Sequence, residues 1–303
     1  MMRAEQKVWL AFLALAIFWG TSFLFIKIGL ETLQPMTLVA IRLIIGFLGL
    51  LVVMRWQRVG FPRSGRLWFH LGVLALINVI IPFNLITWAE QVVDSGLTSV
   101  LNSTVPLFSV IISGVILQVE EVTPGRVGGL IIGFLGVVLL IGPNIRNSSG
   151  QLIPYLAIVL AAGCYAASSA YARRYFRGQQ PVLVAAGQLL VAGIVVIVLA
   201  ALLEDQSAQS FPLQTAFALL WLGLLGSCAA YIFYFFVLEQ WGATRATLVT
   251  YLIPIVGVTA GALVLGEVVG WRLVVGGVMI LSGVGVVNLR RRGQAAVVQT
   301  PGD

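Results

Sequence analysis

Charged side chains are scarce in this sequence. Asp, Glu, Lys and Arg make up 10% of its 303 residues, against about 25% in soluble globular domains. So thin a polar coat cannot keep a 59% hydrophobic chain in water. With a mean hydropathy of +1.02, the soluble class is excluded and an integral membrane protein is expected. Only one histidine, His70, and two cysteines, Cys164 and Cys228, are present. Neither cysteine belongs to a CxxC or Cys/His spacing, and both lie in apolar runs, where a thiol is packing material. No metal site and no cofactor are expected. The net charge is +7, yet no long basic run or stripe occurs, which argues against a nucleic-acid partner.

Acids are scarcer still. All eleven fall outside the deep interior of the apolar segments. Ion-coupled carriers often use an intramembrane carboxylate as relay, so their absence points to passive facilitation or exchange. A phosphorylated solute would need two or more deep cations, and Arg42 alone is deep. A lone His70 near no acid gives an intramembrane hydrolase neither nucleophile–base pair nor metal. Nothing suggests the charged ring or carbonyl filter of a channel.

What the chain has in abundance is long apolar runs. A membrane-spanning helix needs about 20 mostly apolar residues. Ten segments qualify, at about 8–30, 36–54, 67–88, 96–117, 125–143, 152–173, 181–203, 215–238, 244–265 and 270–289. Ala14-Leu-Ala16 faintly resembles a signal cleavage site, but the apolar run continues well past it, so the first segment is read as an uncleaved span. Fourteen of the eighteen basic residues fall in loops or tails on one side if the N-terminus is inside. By the positive-inside rule both termini are cytoplasmic. The expected fold is therefore all-α, integral to the cell membrane and multi-pass.

The two halves echo one another. Pro35 and Pro181 each open a segment 146 residues apart, and Trp19 and Ser22 match Tyr165 and Ser168 at the same offset. Glu121-Val and Arg126 return as Glu267-Val and Arg272. Five spans per copy is an odd number, so the second copy enters from the opposite face. The expectation is an inverted-topology repeat, 1–147 and 148–290, with a disordered tail at 291–303. Such repeats place a solute site near mid-bilayer at their interface.

The fourth segment carries Ser99, Asn102, Ser103 and Pro106 at i, i+3, i+4 and i+7. The ninth carries Thr247, Thr250, Tyr251 and Pro254 with the same spacing. Each set shares one helical face. Each proline deprives the carbonyl four residues earlier, Asn102 or Thr250, of its partner. These two kinked faces are expected to line one path, with Pro106 and Pro254 as gating kinks. Interhelical glue is the alternative use of such polar groups.

Trp19, Tyr165, Tyr231, Tyr234 and Tyr251 could form an aromatic box for a solute, with Trp19, Tyr165 and Tyr231 the deeper ones. Trp88, near a segment end, reads instead as an interfacial belt residue. Asn78 is a cavity candidate beside Pro82. An arginine at the bilayer centre costs roughly 2.5–3.5 kcal/mol on insertion scales, so Arg42 is expected to face inward, pair or snorkel; with a neutral repeat mate, Gln188, a structural hydrogen-bonding role is preferred and anion binding is the alternative. Lys27 is expected to snorkel. The glycines of the fifth and tenth segments (Gly125, Gly129, Gly133, Gly276 and Gly283) read as close-packing surfaces, either between halves or in a homodimer.

Phe18-Trp19-Gly20-Thr-Ser22-Phe23, Pro35, Arg42, the stretch from Ala89 to Gly96, Pro106 and Glu121 together resemble the drug/metabolite transporter superfamily, specifically its EamA-type members. The resemblance covers about residues 8–290 and returns more loosely in the second half, with Tyr165 at the Trp place and Gln188 at the Arg place. It implies small-molecule transport by alternating access, often export, through a cavity bounded by helices one, three, four, six, eight and nine. The composition of the candidate site points to a small neutral or zwitterionic metabolite, with amino acids, aromatic ones included, preferred. A multidrug exporter of lipophilic cations is the alternative, disfavoured by the missing deep acid. The partners expected are the solute and the lipid bilayer.

Overall fold

The computed structural model describes residues 4–117, 123–146, 152–205, 207, 209–246 and 248–289. Every regular element among them is helical. Eight helices are long and apolar enough to cross a membrane: α1 (Glu5–Gly29), α2 (Pro35–Trp56), α3 (Gly65–Ala89), α4 (Ser95–Gly114), α5 (Pro124–Gly142), α6 (Leu152–Tyr175), α7 (Pro181–Leu203) and α8 (Leu213–Gly242). Two more, α9 (Val249–Leu265) and α10 (Trp271–Val287), are apolar but shorter. The ten segments of the sequence thus return as ten helices, of which eight reach spanning length. Positive-φ glycines end the eighth and the ninth helices. Gly242 leaves the helix at φ 76° and ψ 170°, and α9 ends on Gly266 in the left-handed conformation at φ 67°, where the absence of a Cβ removes the steric cost. Glu121, Thr247 and the tail lie outside the described residues.

These helices are apolar almost all round, as membrane helices are. Their outward faces expose Leu48, Val52, Ile131, Leu135, Leu156, Leu160, Val198 and Leu263, a girdle suited to acyl chains rather than water. The protein is a multi-pass membrane protein.

Several rods are broken along their length. A π-helical stretch runs through Leu76–Ile80 in α3 and another through Trp221–Ala229 in α8. In α4 the regular helix stops at Asn102 and restarts at Val105, with Pro106 in the first turn of the new piece. Pro106 therefore sits where its missing N–H leaves a break in α4, and Ser103 and Thr104 keep right-handed helical dihedrals across it. Pro254 does sit inside a continuous helix.

α5 and α10 pack backbone to backbone. A Cβ on Gly283 would stand 2.5 Å from the Gly129 carbonyl oxygen, and one on Gly136 2.7 Å from that of Gly276. Gly129, Gly133, Gly276 and Gly283, read as packing surfaces, are thus used within one chain, in a seam where helices approach closely for want of side chains. A homodimer through these two helices would have to use their other faces.

At one end of the bundle, acids of the later helices sit on the starts of earlier ones. Glu204, after α7, accepts the N–H groups of Met36 at 2.7 Å and Thr37 at 2.8 Å. Glu267, before α10, accepts those of Ser95 at 2.7 Å and Gly96 at 2.8 Å. Helix starts leave N–H groups unpaired and carry partial positive charge, which a carboxylate satisfies. Thr32 and Thr215 hydroxyls meet there at 2.7 Å.

Candidate functional site

The middle of the bundle holds a polar network whose members come from helices far apart in the chain. Asn78, in the π-helical part of α3, donates its amide N–H to Gln188 Oε1 of α7 at 2.9 Å. It also reaches the Tyr231 hydroxyl of α8 at 3.4 Å. Ser168 Oγ of α6 donates to Asn78 Oδ1 at 2.7 Å. Asn78 thus uses both ends of its amide, as a buried amide must.

Arg42 makes the corresponding bond from α2. Its Nε donates to Ser227 Oγ at 3.1 Å, in the π-helical part of α8. The guanidinium lies 4.3 Å from the Phe83 ring centroid, a cation–π contact that offsets part of the burial of this 6%-exposed charge. Ser227 donates its own hydroxyl to the Leu222 carbonyl five residues back, at 3.0 Å, the acceptor spacing that a π-turn provides. So α2 of the first half reaches α8, and α7 of the second half reaches α3. Arg42 and Gln188 each take part in a hydrogen bond between helices.

The aromatic candidates surround this centre. Trp19 and Tyr234 rings lie 5.6 Å apart, and Tyr231 stacks on Phe235 at 6.4 Å. Trp19, Tyr165, Tyr231 and Tyr234 are each only partly buried, so surface remains on rings placed mid-helix. Ser22 is buried, folds its hydroxyl onto the Phe18 carbonyl at 2.7 Å and abuts Gly226.

The polar face of α4 divides in two. Ser99 and Ser103 are buried and donate to carbonyls of their own helix, Gly96 at 2.7 Å and Val100 at 2.6 Å. Ser99 also sits against Gly257 of α9. A hydroxyl three residues after a helical carbonyl finds its acceptor locally, sharing that oxygen with the backbone. Asn102 stays half-buried with Oδ1 unpartnered. On α9, Thr250 and Tyr251 are half-buried, and Tyr251 packs against the cluster formed by Leu101, Leu107 and Ile280. Thr247 lies outside the described residues.

Lys27 has specific acceptors: its ammonium donates to the main-chain oxygens of Glu90 at 2.6 Å and Val93 at 3.0 Å, in the connection past the end of α3. Glu90, counted among the peripheral acids, is 0% exposed. A position at a helix end does not keep a residue in water when a neighbouring helix covers that end. Ser227 was missed as a site residue, although its place four residues before Tyr231 put both on one face of α8. His70 is not alone either: its Nδ1 lies 2.7 Å from the Tyr171 hydroxyl, and its ring stacks on Tyr175 at 4.3 Å.

The model of the EamA-like transporter family matches this chain twice, over residues 6–142 and 152–289. The chain belongs to that family. Among its relatives, the uncharacterized transporter YoaV of Bacillus subtilis is 24% identical over 92% of this chain and 95% of its own. The uncharacterized inner membrane transporter YedA of Escherichia coli is 29% identical over 85% of this chain and 82% of its own. A WAT1-related chloroplastic protein of Arabidopsis thaliana is 23% identical over 92% of this chain and 69% of its own. A crystal structure, 20% identical with a TM-score of 0.67, covers 94% of this chain and 99% of that one, which shows the fold. The family and its relatives indicate a membrane transporter rather than an enzyme.

Proposed function

We propose that this EamA-like protein is a secondary transporter of the cell membrane that moves a small neutral or zwitterionic metabolite by alternating access, in export or exchange. An amino acid, aromatic ones included, is the preferred solute. The observation that carries this reading is the mid-bundle network, in which the Asn78–Gln188, Asn78–Ser168 and Arg42–Ser227 bonds each join residues 1–147 to residues 148–290. A solute that takes over such bonds replaces contacts between the halves, which is what differential binding to two arrangements requires. The twofold family match and the exchanged contacts of α2 with α8 and α7 with α3 support two inverted copies. The bias of basic residues supports cytoplasmic termini. With Arg42 the charge at this centre, a neutral or zwitterionic solute fits better than a lipophilic cation.

The test is flux of radiolabelled tryptophan, leucine and a lipophilic cation into vesicles carrying the purified full chain. Saturable amino-acid exchange, cut at least about tenfold by Asn78→Ala and reduced by Tyr251→Ala, is the expected result; a tenfold change corresponds to about 1.4 kcal/mol of binding, within the range for an interaction with a buried polar group. Cation flux without amino-acid flux would move the assignment to drug export. Absence of all three from folded protein would overturn the solute class.

A further inference from the structure

A carboxyl group with no hydrogen-bond partner lies just past the end of α3. Glu90 is 0% exposed, and neither Oε1 nor Oε2 has a partner among the described residues. One turn earlier Thr87 is 1% exposed with Oγ1 equally unpartnered, and in the following turn Ser95 Oγ is buried and unpartnered too. Native buried polar groups are rarely left unsatisfied.

The charges around Glu90 do not neutralise it by contact. Lys27 of α1 spends its ammonium on the main-chain oxygens of Glu90 and Val93. Arg42 of α2 acts on it electrostatically, as does Glu267 from the α9–α10 connection. Glu267 is itself seated on the Ser95 and Gly96 N–H groups. Asp94 follows in the same connection as Glu90. The charged residues of α6, Arg173 and Arg174, are at its far end. An ionised carboxylate sealed away from water without donors is costly, and a protonated one far less so. Burial pushes the Glu90 carboxyl well above the usual carboxylate range, Lys27 pulls it down, and Glu267 pushes it up again.

We propose that Glu90 is a proton-binding site that holds this end of the bundle closed: it is protonated in the arrangement described here, and it ionises when Glu267 leaves the start of α4 and water enters. The opening part of this claim rests on the alternating-access reading above. On opening, the carboxyl O–H bond breaks and the proton passes to water, leaving a carboxylate beside Lys27. On closing, a proton from water rebuilds the bond. The closed state binds one proton more than the open one, so raising the pH favours opening. Each pH unit between the open-state and closed-state values shifts the equilibrium by up to about tenfold.

Two measurements on the full chain in lipid vesicles test this without any solute. Infrared spectra at neutral pH are expected to show the carbonyl stretch of a buried, protonated carboxyl group that Glu90→Gln removes. An unchanged spectrum would overturn the proposal. For the second, Cys164 and Cys228 are replaced by Ala, and Ser95→Cys is labelled with a maleimide. Rates are normalised to an exposed Glu31→Cys control, which corrects for thiol ionisation. The normalised rate is expected to climb with pH, up to about tenfold per unit, and to lose that climb in Glu90→Gln. The same slope in both backgrounds, or none in either, would overturn the proposal. Equal melting temperatures of the two chains at acidic pH establish that Glu90→Gln folds. Failure to find amino-acid flux would remove the solute assignment while leaving both readouts in force.

Discussion

At mid-bundle the two halves meet through neutral side chains, Asn78 on Gln188 and Ser168, and through one guanidinium on a hydroxyl. At the end near the starts of α2 and α4 they meet through carboxylates seated on backbone N–H groups. The difference lies in what each contact can exchange with. A neutral amide or hydroxyl finds an equivalent partner in a solute or a water molecule, at little net change in free energy. A carboxylate on a helix start is charge-assisted and held by backbone that cannot rotate away. The centre is built to be traded, and the end is built to hold until it is released as a unit.

Breaking the end should have the largest effect. Glu267→Ala removes two charge-assisted bonds and is expected to destabilise the protein by about 1.5–3 kcal/mol, read as a lower melting temperature in detergent. Glu204→Ala, which frees the start of α2, should act in the same direction. Melting temperatures within a degree of the parent would abolish the distinction between the two regions.

The centre should behave in the opposite way. Asn78→Ala is expected to cost only about 1 kcal/mol of stability, while cutting flux far more than that loss explains. A variant that unfolded as readily as Glu267→Ala would show the centre to be structural.

The smallest effect belongs to the margin of the closed end. Asp205 accepts the Ser207 N–H at 2.9 Å and hydroxyl at 2.7 Å, which hold its carboxyl below the usual aspartate range. The stabilisation it provides is present above the ordinary aspartate value and is lost as the pH falls through the lowered one. Asp205→Asn should therefore melt slightly below the parent at neutral pH, by less than either glutamate variant, and match it once the pH lies below the lowered aspartate range. It should remove only a slight part of the acid sensitivity.

Much of this was legible in residue order. Arg42, Gln188, Ser168 and Asn78 could be singled out because polar groups deep in apolar runs must find partners inside the protein. The fate of Ser99 and Ser103 was not legible. Helical spacing shows which residues share a face, and says nothing of what covers each of them: Ser99 sits against Gly257 of another helix. The interruption that accompanies Pro106 at Ser103–Thr104 has no counterpart at Pro254, which sits inside a continuous helix, although both prolines stand in the same sequence pattern.

The sequence by itself determined the membrane class, the number of apolar helices and the polar residues within them, since each follows from the cost of placing charge or unpaired polar groups in hydrocarbon. Only the tertiary structure decided which of those groups meet. It also decided that Glu90, at a helix end in the sequence, is sealed from water while Glu204 and Glu267 hold helix starts. Burial is a property of what packs over a residue, and residues distant along the chain supply that cover.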